Sequence, residues 1–279
     1  MFKKAFYLIL ALAILLNGCT MEQKLAKSFV KTKPIGQFLL LEPEYLFKSN
    51  LKTFELEGYD SIGDYLRDSL LMEKSLFLKE ISDTMVIKQF VKGFRKTLEL
   101  YGAEVIPVSE IDTMLINGGH PYILNIAQFS LEEFLHPYSN EQMVYDEVLV
   151  IDGFDVNAIN YNVWIEIGRM NTEKKNKVLF NSDYLIDDVN GMFRQNLFTG
   201  KVIFDYTIDT ITIARIDKFA GQFGTLTATL IFDYLMNTYI IENLPDDYPY
   251  EPNYYHYDPE RKILYSVGEE DRIIVLDNK

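Results

Sequence analysis

The hydrophobic pattern changes period several times along the chain, and each change marks an element. In DTMVIKQFVKGFRKTLELYG, Ile87, Phe90, Val91, Phe94 and Leu98 recur at three- and four-residue steps. That spacing predicts an amphipathic helix over residues 83–101, with Asp83 as N-cap and Gly102 as C-cap. Just before it, Ile62, Leu66, Leu70, Leu71 and Leu78 fall near one face of a helix or helix pair. Residues 37–47 are apolar but contain Pro43, which fits an edge strand or two short strands. AEVIPV after Gly102 reads as a strand. PYILNIAQFSLEEF begins apolar on both faces and turns polar toward Glu132 and Glu133, as a strand leaving a core does.

The period then becomes two. Ile159, Tyr161, Val163, Ile165 and Ile167 alternate with Asn160, Asn162, Trp164 and Glu166, giving a long half-buried strand. NTEKKNK makes a charged hairpin loop, and KVLFNSDYLID returns as a second strand. KVIFDYTIDTITIARI, after Thr199 and Gly200, reads as a third. Short links between successive strands favour antiparallel pairing.

The last large element, DKFAGQFGTLTATLIFDYLMNTYIIENLP, is predicted to be a helix capped by Asp217 and ended before Pro245. Its uncharged part, residues 219–232, falls short of about 20 residues, and Gln222, its threonines and Asp233 are costly in hydrocarbon. A helix buried against the sheet is therefore expected rather than a membrane span. The tail YPYEPNYYHYDP precedes a predicted hairpin, KILYSVGEEDRIIVL. These elements specify an α+β fold: an antiparallel or mixed sheet meander packed against two or more helices, with an N-terminal α/β layer. Residues 34–279 read as one domain, divisible into lobes 34–135 and 136–279.

The first nineteen residues follow a different logic. Lys3 and Lys4 precede an uncharged apolar run over residues 5–16, too short to span a bilayer comfortably and of the length of a signal h-region. It ends in ILLNGCT, and Cys19 is the single cysteine of the chain. The junction Leu16-Asn17-Gly18-Cys19 resembles the lipobox of bacterial lipoproteins, although Asn17 departs from the common choice at its position. The resemblance implies that residues 1–18 are a signal peptide, that Cys19 is acylated, and that residues 19–33, polar and lysine-rich, are a lipidated tether. An ordinary signal with a chance cysteine, or an uncleaved anchor, is the alternative.

Charge and composition then narrow the function classes. The formal net charge is −14, and loss of Lys3 and Lys4 with the signal makes it more negative. Such a surface disfavours nucleic acid and anionic lipid as partners. With no second cysteine, neither a disulfide nor a thiolate metal site is available. A hydrophobic fraction of 48% with 14% aromatics is enough for the chain to rely on its core instead.

No GxSxG elbow, P-loop, dinucleotide fingerprint or HExxH occurs, and no cofactor is expected. His120, His136 and His256 stand at no metal-ligand spacing, so no metal is assigned. GGHP reads as a turn carrying His120, and LHPYS as a loop carrying His136. Acidic neighbours such as Glu132-Glu133 and Asp187-Asp188 point to opposite faces of a strand and read as solvated surface. Tyr248, Tyr250, Tyr254, Tyr255 and Tyr257 form the best candidate binding surface, for sugars or an extended peptide. The competing assignment makes them a strap whose rings cover the sheet or the long helix.

At the level of pattern, a lipobox followed by a strand, a helix ending in Gly (Phe94, Leu98 and Gly102, with Val105 in the next strand) and further strands resembles envelope accessory lipoproteins. The ABC-transport auxiliary and curli-secretion types are examples. The abundance of Tyr, Asn, Lys and Ile is similar to Bacteroidetes lipoproteins, and the absence of an acidic run after Cys19 favours an outer-membrane location facing the periplasm. The resemblance implies a non-catalytic binding or assembly/transport accessory, membrane-anchored through Cys19, with an envelope protein partner. A glycan-binding or glycan-hydrolysing lipoprotein is the alternative, and would need a concave site with facing carboxylates near the aromatic tail.

Overall fold

The structure, a computed structural model, describes residues 20–32, 36–52, 63–111, 121–144, 147–170 and 175–276. The expected signal peptide, Cys19 and His120 lie outside the described residues. The described helices are α1 (Met21–Thr32), α2 (Asp64–Glu73), α3 (Asp83–Leu100) and α4 (Ile213–Asn243). The strands are β1 (Gln37–Leu41), β2 (Phe47–Asn50), β3 (Glu104–Ile106), β4 (Tyr122–Val144), β5 (Glu147–Arg169), β6 (Lys177–Ile186), β7 (Asp188–Gln195), β8 (Val202–Asp209), β9 (Tyr255–Asp258), β10 (Ile263–Ser266) and β11 (Ile274–Leu276).

A seven-stranded sheet runs in the order β11-β6-β5-β4-β1-β3, with β2 added to β4. β1 is parallel to β3 and β4, and β2 is parallel to β4, whereas β4, β5, β6 and β11 pair antiparallel. This is the expected α+β arrangement with a mixed sheet. Of the two expectations for residues 37–47, two short strands is the one found: β1 is an interior strand rather than an edge, and Pro43 lies past its last residue, in the break before β2, where it removes no ladder bond. The tail is paired differently from the predicted hairpin. β10 pairs with β9, and β11 crosses to β6. β8 likewise joins β7 in a separate ribbon instead of extending the main sheet.

The helices cover one face of the sheet through an aromatic cluster. Phe90 of α3 lies 4.7 Å from Phe129 of β4, and Phe223 of α4 lies 6.3 Å from Phe129 and 5.8 Å from Tyr161 of β5, measured between ring centroids. Each such buried ring contributes about 2–3 kcal/mol by area removed from water. Glycine lets α3 and α4 approach closely: a Cβ on Gly224 would sit 2.1 Å from the Phe90 carbonyl oxygen, and one on Gly93 2.1 Å from that of Gly221.

The termini of these helices explain their length. At the C-terminus of α3 the Ala103 N–H donates to the Leu98 carbonyl and the Gly102 N–H to that of Glu99, with Gly102 at φ 83, a Schellman ending. Its N-cap is Ser82, and Asp83 stands in the first turn, paired with Lys48 at 2.8 Å. α4 starts earlier than expected, because the Thr212 hydroxyl accepts the Arg215 N–H; Asp217 lies inside the helix and is not its cap. Among the described residues no helix is long and apolar enough to cross a membrane.

Residues 21–32 are not the polar tether expected of them. Glu22, Ala26 and Phe29 recur at helical spacing and are buried, with Phe29 packed 5.6 Å from Phe232 and 5.4 Å from Tyr239 of α4. Lys24, Lys27 and Lys31 occupy the outer face and account for the polar appearance of the segment.

Candidate functional site

β4 and β5 are each 23 residues long, and they outrun the sheet that supports them. The pairing of β5 with β6 starts only at Ala158, and that of β4 with β2 stops at Glu133. From Phe134 to Val144 and back from Glu147 to Asn157 the two strands pair only with each other, a ribbon about 35 Å long at roughly 3.3 Å per residue. The β7–β8 ribbon lies along it: Phe154 and Tyr206 stack at 4.3 Å, and Tyr138 and Phe204 meet at 6.4 Å. Together the two ribbons form an arm.

Buried polar groups fix the root of the arm. The Asp187 carboxylate accepts from the backbone N–H and side-chain amide of Asn157 at 3.0 and 2.8 Å, and from the Ile211 N–H at 2.7 Å, tying β5 to both ends of the β7–β8 segment. Beside it, Glu133 accepts from Lys52 Nζ at 2.7 Å, Ser75 Oγ at 2.6 Å, and the N–H groups of Leu76 and Phe77. Burial alone would raise the Glu133 carboxyl, but Lys52 and these donors outweigh it and hold it below its ordinary value. Lys52 Nζ also donates to Asn157 Oδ1 at 2.7 Å, which joins the two clusters. Glu133 and Asp187 are thus interior groups, not the solvated surface expected of them. Their neighbours do point the other way, Asp188 to solvent and Glu132 to the amides of Asn160 and Asn162.

The far end of the β7–β8 ribbon is a rigid turn. The Asn196 N–H donates to the Lys201 carbonyl, the Gly200 N–H to the Asn196 carbonyl, and the N–H groups of Phe198 and Thr199 to Asn196 Oδ1. Gly200 takes φ 69, a value that favours glycine. This turn holds Leu197 and Phe198 outward, 93% and 100% exposed. Met192 and Ile203, diagonal neighbours on the outer face of the ribbon, continue the apolar surface behind them.

The arm and the N-terminal helix mark opposite ends of the molecule. The Tyr161 hydroxyl donates to the Ile216 carbonyl near the start of α4, Asn181 donates to Thr227 in its middle, and Ile167 and Arg169 share a cavity with Tyr234 and Thr238 near its end. β5 and α4 therefore run in the same direction, and the arm leaves beyond the helix N-terminus. Thr20 sits at the other end, its hydroxyl 3.4 Å from that of Tyr255, whose N–H donates to Asn237. From Ile213 to Asn237 the helix rises about 36 Å at roughly 1.5 Å per residue. The segment that follows Cys19 is thus separated from the arm root by most of the length of the body.

The tyrosine-rich tail is a strap. Tyr255 is buried and its hydroxyl donates to Glu22 at 2.8 Å, as does that of Tyr248, while Asn253 adds a third donor to the same carboxylate. Burial would raise Glu22, and these hydrogen bonds hold it below its ordinary value. Tyr257 packs 6.2 Å from Phe232, and Tyr254 lies under the Arg272 guanidinium at 4.8 Å. Tyr250 is the exposed member of the five, at 72%.

α4 holds this strap with two polar residues one turn apart. Asn237 bonds both the N–H and the carbonyl of Tyr255, and Asp233 accepts the Tyr257 N–H and lies 2.5 Å from His256 Nδ1. The hydrogen bond to Asp233 raises His256 above its ordinary value, and burial raises Asp233. His256 borders a cleft of about 450 Å³ that Ser182, Asp183, Tyr265, Glu270, Asp271 and Arg272 also line. Such a cleft can receive a polar ligand. Among the described residues no group of three or more His, Cys, Asp or Glu is placed to hold a metal ion. His136, expected in a loop, lies in β4 at the arm root, 5.3 Å from Tyr184. Pro137 follows it without breaking the strand, because β4 has only one neighbour there.

Sequence reasoning missed the tip, the arm root and the Asp233–His256 pair. A visible sign of the tip was an aromatic and a leucine within the turn-forming string NLFTG. No protein-family model and no curated protein matches the chain. Among solved structures it is similar to the crystal structure of a neuraminyllactose-binding hemagglutinin homolog from Helicobacter pylori, at 14% identity over 75% of this chain and 92% of that one, with a TM-score of 0.29.

Proposed function

We propose that the chain is a lipid-anchored envelope protein, attached through Cys19 to the outer membrane on its periplasmic side, that works without catalysis by engaging another envelope component through its arm. The observation that carries this reading is the arm itself: two stacked ribbons rooted in buried polar contacts and projecting from the end opposite Thr20. An anchored binding accessory needs such reach, because its attachment and its contact surface must not coincide.

Both halves of the reading are testable. Cys19→Ser is expected to abolish lipid labelling and deplete the membrane fraction; an unchanged membrane fraction would overturn the anchor. The arm can be shortened without changing register by joining Tyr138 to Phe154 and Phe193 to Phe204, which are directly opposed pairs, through Asn-Gly turns. Crosslinking from membranes should lose its specific partner in that variant. Recovery of the same partner in the same yield would defeat the arm as the binding element.

The second reading, a glycan-binding lipoprotein, is favoured by the cleft beside the aromatic tail, where Asp183, Glu270 and Asp271 surround Tyr265 and His256. Titration with neutral oligosaccharides, repeated with Tyr265→Ala, tests it; absence of binding to the unaltered chain disposes of it.

A further inference from the structure

We propose that the Leu197–Phe198 tip, with Met192 and Ile203 behind it, inserts into an apolar pocket of a protein partner whose rim carries Lys or Arg. This rests on the reading of the arm as the binding element and names what the arm engages. Three observations carry it.

The first is that the apolar side chains are displayed by construction. Six hydrogen bonds within Gln195–Lys201, four of them made by Asn196, hold the turn in one shape. These bonds keep the Phe198 ring directed away from the ribbon. A rigid, preorganised aromatic anchor loses little conformational freedom on binding, which is how a small contact gains affinity.

The second is continuity. On the outer face of the β7–β8 ribbon Met192 and Ile203 are exposed at 60% and 49%, beside the Arg194–Asp205 ion pair that shares that face, so apolar side chains flanked by charge extend back from the tip along one side. The opposite face is occupied, because Phe204 and Tyr206 pack on Tyr138 and Phe154. The contact is therefore one-sided and shaped like a wedge.

The third is charge. Along the arm Glu141, Asp152, Asp155 and Asp205 outnumber Arg194 and Lys201, and Arg194 is already paired with Asp205 at 3.2 Å. An anionic lipid surface repels such an arm over the Debye length of about 8–10 Å, and a second copy of the chain repels it equally. A protein pocket rimmed by basic residues satisfies both the apolar tip and the acidic flanks.

The test places a photoreactive benzoylphenylalanine at position 198 of the full-length protein in its own cells, and at position 250 as a control, since Tyr250 is also an exposed aromatic but lies on the strap. The expected result is one discrete protein adduct from position 198, absent from position 250. The peptide crosslinked in it should contain Lys or Arg beside apolar residues. Phe198→Asp and Leu197→Asp should reduce recovery of that partner at least tenfold while leaving the melting temperature unchanged. An adduct with lipid, an adduct with a second copy, equal adducts from both positions, or none overturns the proposal. If the shortened arm loses a partner that position 198 never labels, the arm reading stands and the tip reading falls.

Discussion

Lys52 Nζ and Glu133 Oε1 lie 2.7 Å apart with side chains 4% and 0% exposed, although 81 positions separate them in the chain. The pair closes the core at the root of the arm. Removing one member leaves the other charged and unpaired in the interior, so Lys52→Met is expected to destabilise the protein by roughly 3–5 kcal/mol in urea unfolding. The same variant should loosen the arm before the body melts, seen as faster amide exchange in β4 beyond Glu133 than in β6.

Acid should act through the same carboxylate. Glu133 is held below its ordinary value near 4.5, so its stabilisation is complete above that value and is lost as pH falls through the lower folded one. Glu133→Gln should flatten this acid limb of the stability curve. An unchanged limb would place the acid-sensitive group elsewhere.

His256 imposes the opposite slope. Its folded value is raised above 6.5 by Asp233, so its contribution is fully present below 6.5 and disappears as pH rises through the folded value. His256→Ala should remove this alkaline loss and cost about 1–3 kcal/mol at pH 6, by stripping a buried carboxylate of its partner. Stability curves from pH 5 to 9 for the two proteins provide the comparison.

Two glycines of α4 should respond oppositely to one methyl group. In Gly224→Ala the new carbon meets the Phe90 backbone at 2.1 Å and must push α3 away, at a cost of about 3 kcal/mol. In Gly221→Ala the nearest atom is 3.5 Å away, and the gain in helix propensity of roughly 0.5–1 kcal/mol should prevail. Thermal melts of the two variants decide this.

Glu22 predicts a local effect instead. Glu22→Ala leaves the hydroxyls of Tyr248 and Tyr255 without their shared acceptor, and should free α1 to be cut by trypsin at Lys24, Lys27 or Lys31. Protection equal to that of the unaltered chain would mean that Phe29 alone holds the helix.

Periodicity revealed elements wherever one face of a segment met the core. The Phe90–Phe94–Leu98 stripe of α3, the alternation of β5 from Ile159 to Ile167 and the uncharged stretch of α4 were all visible for that reason. It failed where a segment packs on something other than the core. β4 and β5 continue outward as an arm whose residues are mixed on both faces, so the alternating signal fades before the strands do. α1 buries only a narrow stripe and is otherwise lysine-rich, which made a docked helix look like a tether. The buried carboxylates were hidden for another reason: Glu133 and Asp187 acquire their partners from Lys52 and Asn157, and no local pattern reports a contact across the fold.

The clasp on Glu22 joins segments 226 to 233 positions apart, so its donors leave the ribosome long after α1 has done so. An emerging chain can pack Phe29 of α1 on α4 but cannot close the clasp on Glu22 until residues 248–255 have arrived. A product cut short before them carries α1 without its clasp, a difference by which proteases can tell unfinished copies from finished ones.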